Sequence, residues 1–316
     1  MNNIPLVDLA SINVTRDIES ACRDIGFMYV RGHGIDPQVI AELRDAVIGY
    51  FERSLEQKLV DRIARKNYRG YIPEGFFSPA VNGEEADRYE GYKLHLEIAA
   101  DDEICVASDL YGPNKWPEGP QGFRRAVERY WSACDEVARV LLEHMAIIIG
   151  VDPATFLEYF EKALTNMTLL HYPAQDPDDP GFGIHPHKDT DALTILVPDK
   201  VGGLMVKKRG SSDWLEVAAP DDTLVVNIGD LLELWSGGYF VSTPHKVINS
   251  SGAERYSFPY FVVPRFDVIV APLRELQPGF ARSSVHVGDV SRAVWRSNWP
   301  DVVNANSGFD LGTLED

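Results

Sequence analysis

The chain has no run of ~20 consecutive apolar residues, so a membrane-spanning helix is not expected. The opening MNNIPLVDLA lacks a charged stretch followed by an apolar one, and a cytoplasmic protein without a secretory leader is expected. Cysteine is scarce. Cys22, Cys105 and Cys134 are far apart and odd in number, which argues against a disulfide framework or a zinc site and for core positions in a reducing compartment. Basic residues are few, 30 against 48 acidic ones, and the net charge of -18 disfavours a nucleic-acid partner, whose phosphates need a basic footprint. There is no internal repeat and no low-complexity tract. What remains is a chain of 316 residues, 45% hydrophobic, able to bury a large core as one big domain or two modest ones.

Hydrophobic periodicity divides the chain. Ile4 to Leu9 reads as a short strand, residues 16–25 as an amphipathic helix, and Phe27 to Val30 as a strand closed by turns at Gly32 and Gly34. Residues 37–59 carry a long helical pattern, 122–149 a stronger one, and 152–164 a shorter one with Pro153 in its first turn. His33, in a turn, is read as a structural hydrogen-bonding residue. Between 69 and 109 the periodicity weakens while aromatics accumulate (Tyr71, Phe76, Phe77, Tyr89, Tyr92), which suits a pocket wall or lid, or equally a loop over the core. After Asn166 short β-type runs dominate, at 167–172, 193–197, 203–207, 223–228, 245–248 and 256–263, as in a sandwich or barrel.

The stretch GIHPHKDTDALTIL, residues 183–196, carries the chemistry. On an extended strand alternate side chains share a face, so His187 and Asp189 project together while Lys188 projects away. His185 has the same parity, and parity alone does not exclude it. A further ligand is offered by His245 in STPHKVIN. Two imidazoles and one carboxylate with positions left open form the facial triad of non-haem Fe(II) oxygen chemistry. Arg255 and Ser257 also share strand parity, so a guanidinium able to clamp a carboxylate and a hydroxyl can face one cavity, with Tyr172 as a further donor.

On these residues the chain resembles the iron- and 2-oxoglutarate-dependent dioxygenases, in the branch similar to isopenicillin N synthase and the plant flavonoid and gibberellin oxygenases. GFMYVRGHGI, HKDTDALTIL, VGGLMV, VVNIGDLLELWSGG, STPHKVIN and ERYSFPYF follow the family's order almost end to end. The resemblance implies an α+β fold, a double-stranded β-helix (jelly-roll) core with flanking N-terminal helices. It implies a mainly helical region at 1–165, a catalytic core at 166–290, and a C-terminal segment at 291–316 as a pocket lid. His187, Asp189 and His245 match the iron triad, with Lys188 where the family usually has Thr. Arg255, Ser257 and Tyr172 match the residues that bind the far carboxylate of 2-oxoglutarate, and Leu170 replaces a frequent Asn. Fe(II), 2-oxoglutarate and dioxygen are the implied cofactors, with ascorbate as reductant.

The implied function is oxidation of a C–H bond of a small molecule, by hydroxylation, desaturation or cyclisation, in secondary metabolism. A monomer is expected. Phe261, Lys93, His95 and Tyr89 are candidate substrate contacts, with Tyr92, Trp295 and Phe309 also considered; the alternative for Lys93 is an exposed surface position. Three rival readings stand beside this one. An isopenicillin N synthase-like oxidase would keep the Arg-x-Ser pair without using 2-oxoglutarate. A zinc hydrolase of the HxHxDH type would need His at position 190, where Thr190 stands. A non-catalytic metal-binding protein would not need so complete a set of ligands and clamp.

Overall fold

A computed structural model describes residues 4–76, 86–119, 121–178, 181–208, 210 and 212–299. The first half contains β1 (Leu6–Asp8), α1 (Val14–Asp24), β2 (Phe27–Arg31), α2 (Pro37–Phe51), α3 (Leu55–Leu59), β3 (Gly70–Ile72) and β4 (Glu90–His95). Then come α4 (Glu103–Ala107), α5 (Phe123–Ile149), α6 (Pro153–Leu157), a 3-10 turn at Glu158–Phe160, and β5 (Asn166–Tyr172). The second half continues with β6 (Ile184–His187), β7 (Leu193–Leu196), β8 (Leu204–Lys207), β9 (Trp214–Glu216), β10 (Leu224–Ile228) and α7 (Asp230–Trp235). It closes with β11 (His245–Val247), β12 (Arg255–Ser257), β13 (Tyr260–Val262), β14 (Ile269–Val270), β15 (Val285–His286) and α8 (Val287–Ser297).

Two sheets carry the fold. The larger runs β1-β2-β10-β7-β13-β5-β4-β3, with β12 also paired to β5, and the smaller runs β6-β11-β8-β9. Alternation along each strand assigns its two faces. Met28, Val30, Tyr92, Leu94, Met167, Leu169, Leu193 and Ile195 point to one core, which they share with Leu43, Val47, Tyr130, Val137 and Leu141 of α2 and α5. The intervening Phe27, Tyr29, Leu170, Tyr172, Leu196 and Val225 point the other way, into a second core shared with Leu204, Val206 and Val247 of the small sheet. The large sheet is therefore buried on both faces, by helices outside and by the small sheet inside, which is the double-stranded β-helix with its helical flank.

Helix α5, about 40 Å long at 1.5 Å per residue, supports the outer core. It ends at Gly150, whose φ of 85° supplies the left-handed turn that lets its N–H return to the carbonyls of Ala146 and Ile147. Leu141 on this helix is fully buried, and truncating it to Ala costs about 2–5 kcal/mol.

Several sequence expectations are corrected. Residues 37–59 are two helices, because the Ser54 side chain caps Gln57 N–H while Gln57 reciprocates, starting α3 anew. The helix expected over 152–164 stops early: α6 gives way to the 3-10 turn, and Lys162 takes a φ of 47°. The run 256–263 is split around Pro259 into β12 and β13, which both pair with β5. The segment 69–109, read as irregular, holds β3, β4 and α4. In β4 the sequence does alternate, Tyr92 and Leu94 against Lys93 and His95, but its polar face turns inward rather than to solvent. Phe77 and Phe309 lie outside the described residues. The three cysteines are free thiols, and His33 accepts a hydrogen bond from Ile35 N–H, a structural role.

Candidate metal centre and its cavity

Strand pairing brings the two histidines together. His187 ends β6 and His245 begins β11, and they stand opposite one another in the antiparallel register, so their side chains share a face. Their ring centroids are 4.3 Å apart. Asp189 lies two residues beyond His187, just past the strand, and its Oδ1 is 3.6 Å from Nε2 of His187 and 3.5 Å from Nε2 of His245. Ligand atoms of these three residues all lie within 4.8 Å of one another, and among the described residues no other such group of histidine, cysteine and carboxylate occurs.

Each candidate ligand atom is turned to the cluster because its opposite atom is engaged. Nδ1 of His187 meets the carbonyl of His185 at 2.7 Å, and Nδ1 of His245 meets that of Thr243 at 3.2 Å. Those carbonyls can only accept, so both Nδ1 atoms carry a proton, and each Nε2 is the atom turned to Asp189. On the carboxylate, Oδ2 receives Thr194 Oγ1 at 2.6 Å and Asn227 Nδ2 at 2.8 Å, which leaves Oδ1 to the imidazoles. Asp230 N–H donates to the Asp189 carbonyl at 2.8 Å, tying the ligand loop to α7.

Electrostatics follow from this clustering. Burial and repulsion from His245 push His187 down to about 4. Burial also opposes charge on His245, yet the Asp189 carboxylate outweighs it and raises the group. Burial works against charge on Asp189 too, but the two imidazoles overcome it and hold the carboxyl below its usual range. Asp191 behaves oppositely: burial and the charge of Asp189 push it well up. Its Oδ2 lies 2.8 Å from Thr194 Oγ1, the hydroxyl that Asp189 also engages.

The second group of expected residues sits deeper between the sheets. Arg255 faces Tyr172 and Ser257 faces Leu170 in the β12–β5 register, on the inner face of the large sheet, as their parity requires. Arg255 is 2% exposed. Its Nε donates to Gly202 O at 2.7 Å and its guanidinium lies 4.7 Å from the Tyr172 ring, but Nη1 is buried without a hydrogen-bond partner. A buried guanidinium nitrogen left unpaired is costly, and a carboxylate is the group that would satisfy it.

Beside the histidines opens a cavity of about 390 Å³. His187, Asp189, Tyr89, Lys93, His95 and Phe261 all line it, together with Trp295 of α8; Lys188, expected to project away, lines it too, because β6 ends at His187 and strand alternation stops there. Lys93 is half-buried rather than exposed, and burial pushes its amine down to about 7 against the pull of Asp191 and Asp189. Tyr92, by contrast, is fully buried on the other face of β4, packed on Tyr50 and Phe123, and takes no part in the cavity. His185 is a neighbour and not a member of the cluster: Asp87 Oδ1 binds its Nδ1 at 2.6 Å and its backbone N–H at 3.0 Å.

Thr194, Asn227, Asp191 and Asn166 escaped sequence reasoning. Asn227 left a usable signal, a polar residue inside the apolar strand LVVNI, since such residues are retained in cores only with partners. Thr194 left none, because a threonine in LTIL is ordinary strand composition.

A jelly roll that gathers two histidines and a carboxylate defines a mononuclear non-haem metal protein, and the donor set suits iron. Residues 154–264 match the model of the 2OG-Fe(II) oxygenase superfamily, and residues 4–119 match the N-terminal model of the non-haem dioxygenases in morphine synthesis. A 2-oxoglutarate-dependent dioxygenase of Oryza sativa is 31% identical over 280 residues, covering 86% of this chain and 74% of the relative. A homoarginine-6-hydroxylase of Glycine max is 30% identical over 276 residues, covering 84% of this chain and 82% of the relative. Among solved structures, JOX2 in complex with 2OG, Fe and JA superposes with a TM-score of 0.78 at 26% identity, over 93% of this chain and 85% of that one. The chain belongs to the 2OG-Fe(II) oxygenase superfamily and is an Fe(II)- and 2-oxoglutarate-dependent dioxygenase.

Proposed function

We propose that His187, Asp189 and His245 hold the Fe(II), that Arg255 with Ser257 and Tyr172 holds the far carboxylate of 2-oxoglutarate, and that the enzyme oxidises a C–H bond of a small molecule lying beside Phe261, Lys93, His95 and Tyr89. The observation that carries this reading is the set of three free ligand atoms within 4.8 Å, each with its opposite atom already engaged. The orphaned Nη1 of Arg255 supports the cosubstrate assignment. When bound, iron and 2-oxoglutarate supply the activation of dioxygen that couples loss of carbon dioxide from the 2-oxo acid to oxidation of the substrate.

The chain's own contribution is positioning. The carbonyls of His185 and Thr243 fix the imidazole tautomers, while Thr194 and Asn227 turn one oxygen of Asp189 toward the metal. Trp295 of α8, stacked on Tyr68 at 4.7 Å, walls the cavity and keeps water from the reacting carbon. In this reading residues 166–290 act as the catalytic core, strands β1 to β4 of the region 1–165 complete its large sheet, and residues 291–299 wall the pocket; the rest of the expected lid, 300–316, lies outside the described residues. We also read a cytoplasmic monomer of secondary metabolism without a nucleic-acid partner, in line with the net charge of -18.

The test is aerobic turnover of the Fe(II) protein with 2-oxoglutarate and a mass-spectrometric screen of small molecules. Succinate release, together with a candidate gaining one oxygen or losing two hydrogens, is expected. One equivalent of bound iron with no succinate formed would contradict the cosubstrate assignment and favour an isopenicillin N synthase-like oxidase.

A further inference from the structure

The inner face of the large sheet carries one row of opposed residues across five strands. His95 faces Asn166, Asn166 faces Phe261, Phe261 faces Thr194, and Thr194 faces Asn227. At one end Thr194 and Asn227 are engaged by Asp189. At the other end the polar groups are not so matched.

The Lys93 ammonium donates to Asn166 Oδ1 at 2.5 Å and to Thr168 Oγ1 at 2.9 Å, and lies 5.1 Å from the centroid of Phe261. Both acceptors are uncharged, and no carboxylate among the described residues pairs with it. The carboxylates of the cavity wall are engaged elsewhere. Asp87 binds His185, Asp189 faces the imidazoles, and Asp191 binds Thr194 with its other oxygen turned against Gly229, where an added Cβ would meet it at 2.0 Å. Two residues along β4, His95 lines the same cavity at 3% exposure, and neither of its ring nitrogens has a hydrogen-bond partner.

We propose that Lys93 and His95 form the recognition site for a carboxylate on the substrate. The inference rests on the reading of this cavity as the oxidation site and names the class of molecule it takes. The half-buried Lys93 amine has only neutral acceptors in contact, with Asp191 and Asp189 acting on it from a distance, and a substrate carboxylate supplies a charge in direct contact while accepting the unused N–H of His95. One ammonium and one imidazole match a monoanion; a phosphate dianion would call for more donors. Position also limits the reaction. The row places Asn166, the partner of Lys93, two strands from Thr194, which is on the order of 10 Å. We place the oxidised carbon away from the acid rather than next to it, in a cavity whose apolar lining includes Phe261, Val263, Leu164, Val290 and Trp295.

The experiment is calorimetric titration of the metal-free protein and of the Fe(II)/2-oxoglutarate form under nitrogen. The probes are ω-phenylalkanoic acids with side chains of three to six carbons, each paired with its primary amide. At one or more lengths the acid is expected to bind about 10- to 100-fold more tightly than the amide. Lys93→Met loses that preference and Lys93→Arg, which restores the charge, keeps part of it; melting curves report whether each variant is folded. No acid preference at any length in the wild-type protein, or a preference that survives in Lys93→Met, would overturn the proposal. The wild-type affinity for 2-oxoglutarate, measured alongside, reads the Arg255 clamp separately. Its absence with the acid preference intact would count against the cosubstrate reading alone.

Discussion

The two ends of one cavity wall are built on different principles. At the metal end the atom behind each ligand atom has an assigned partner: the carbonyls of His185 and Thr243 hold the imidazoles, and Thr194 and Asn227 hold Asp189. At the β4 end Lys93 has only neutral partners and His95 has none. The first end is pre-organised, since ligand orientation must not depend on the ion's arrival. The second is incomplete without a ligand, because buried polar groups left unpaired are stabilised chiefly by what binds them. Rigidity marks the chemistry, and unmet hydrogen bonding marks the specificity.

The contrast can be broken most forcefully at the metal end. Asp189→Ala or His245→Ala should abolish binding of one equivalent of Fe(II), measured by equilibrium dialysis, and with it succinate release. Arg255→Ala should leave metal stoichiometry intact while raising the apparent requirement for 2-oxoglutarate by about 100-fold, because it removes the charged partner of a buried carboxylate. Asn227→Leu should retain the iron site but lower metal affinity by roughly 10- to 100-fold, the usual cost of losing an orienting hydrogen bond behind a ligand. Smallest is His185→Ala. Its imidazole is held by Asp87, away from the cluster, so the variant should keep one equivalent of Fe(II); loss of the metal there would show the ligand assignment to be wrong.

Legibility in the sequence followed the same division. His187, Asp189, His245, Arg255 and Ser257 stood out because metal and carboxylate binding need particular residue types at strand spacing, which composition alone does not produce. A sandwich or barrel was readable from the short β runs, and the jelly roll only from the family resemblance. The β4 wall was legible only in part: Lys93, His95 and Tyr89 stood out as candidate contacts, but the strand that carries the first two did not. Lys93 and His95 alternate with Tyr92 and Leu94, the same pattern a solvent-facing strand would give, and only pairing of β4 with β5 turns that face inward. Thr194 was hidden because its role depends on Asp189 curling back from the end of β6, a tertiary fact with no local signature. The break between α2 and α3 was legible in principle, as the Ser54 and Gln57 capping box, but the apolar stripe running through it dominated the periodicity.

The central claim is that the three free ligand atoms and the Arg255 guanidinium form one bipartite site for iron and 2-oxoglutarate. Anaerobic titration of the Fe(II) protein with 2-oxoglutarate, followed by visible absorption, tests it most directly. A saturable metal-to-ligand band reaching one equivalent is predicted, absent from Asp189→Ala and shifted to much higher 2-oxoglutarate concentration in Arg255→Ala. An iron-loaded wild-type protein that develops no such band, or an Arg255→Ala variant that titrates like the wild type, would contradict it.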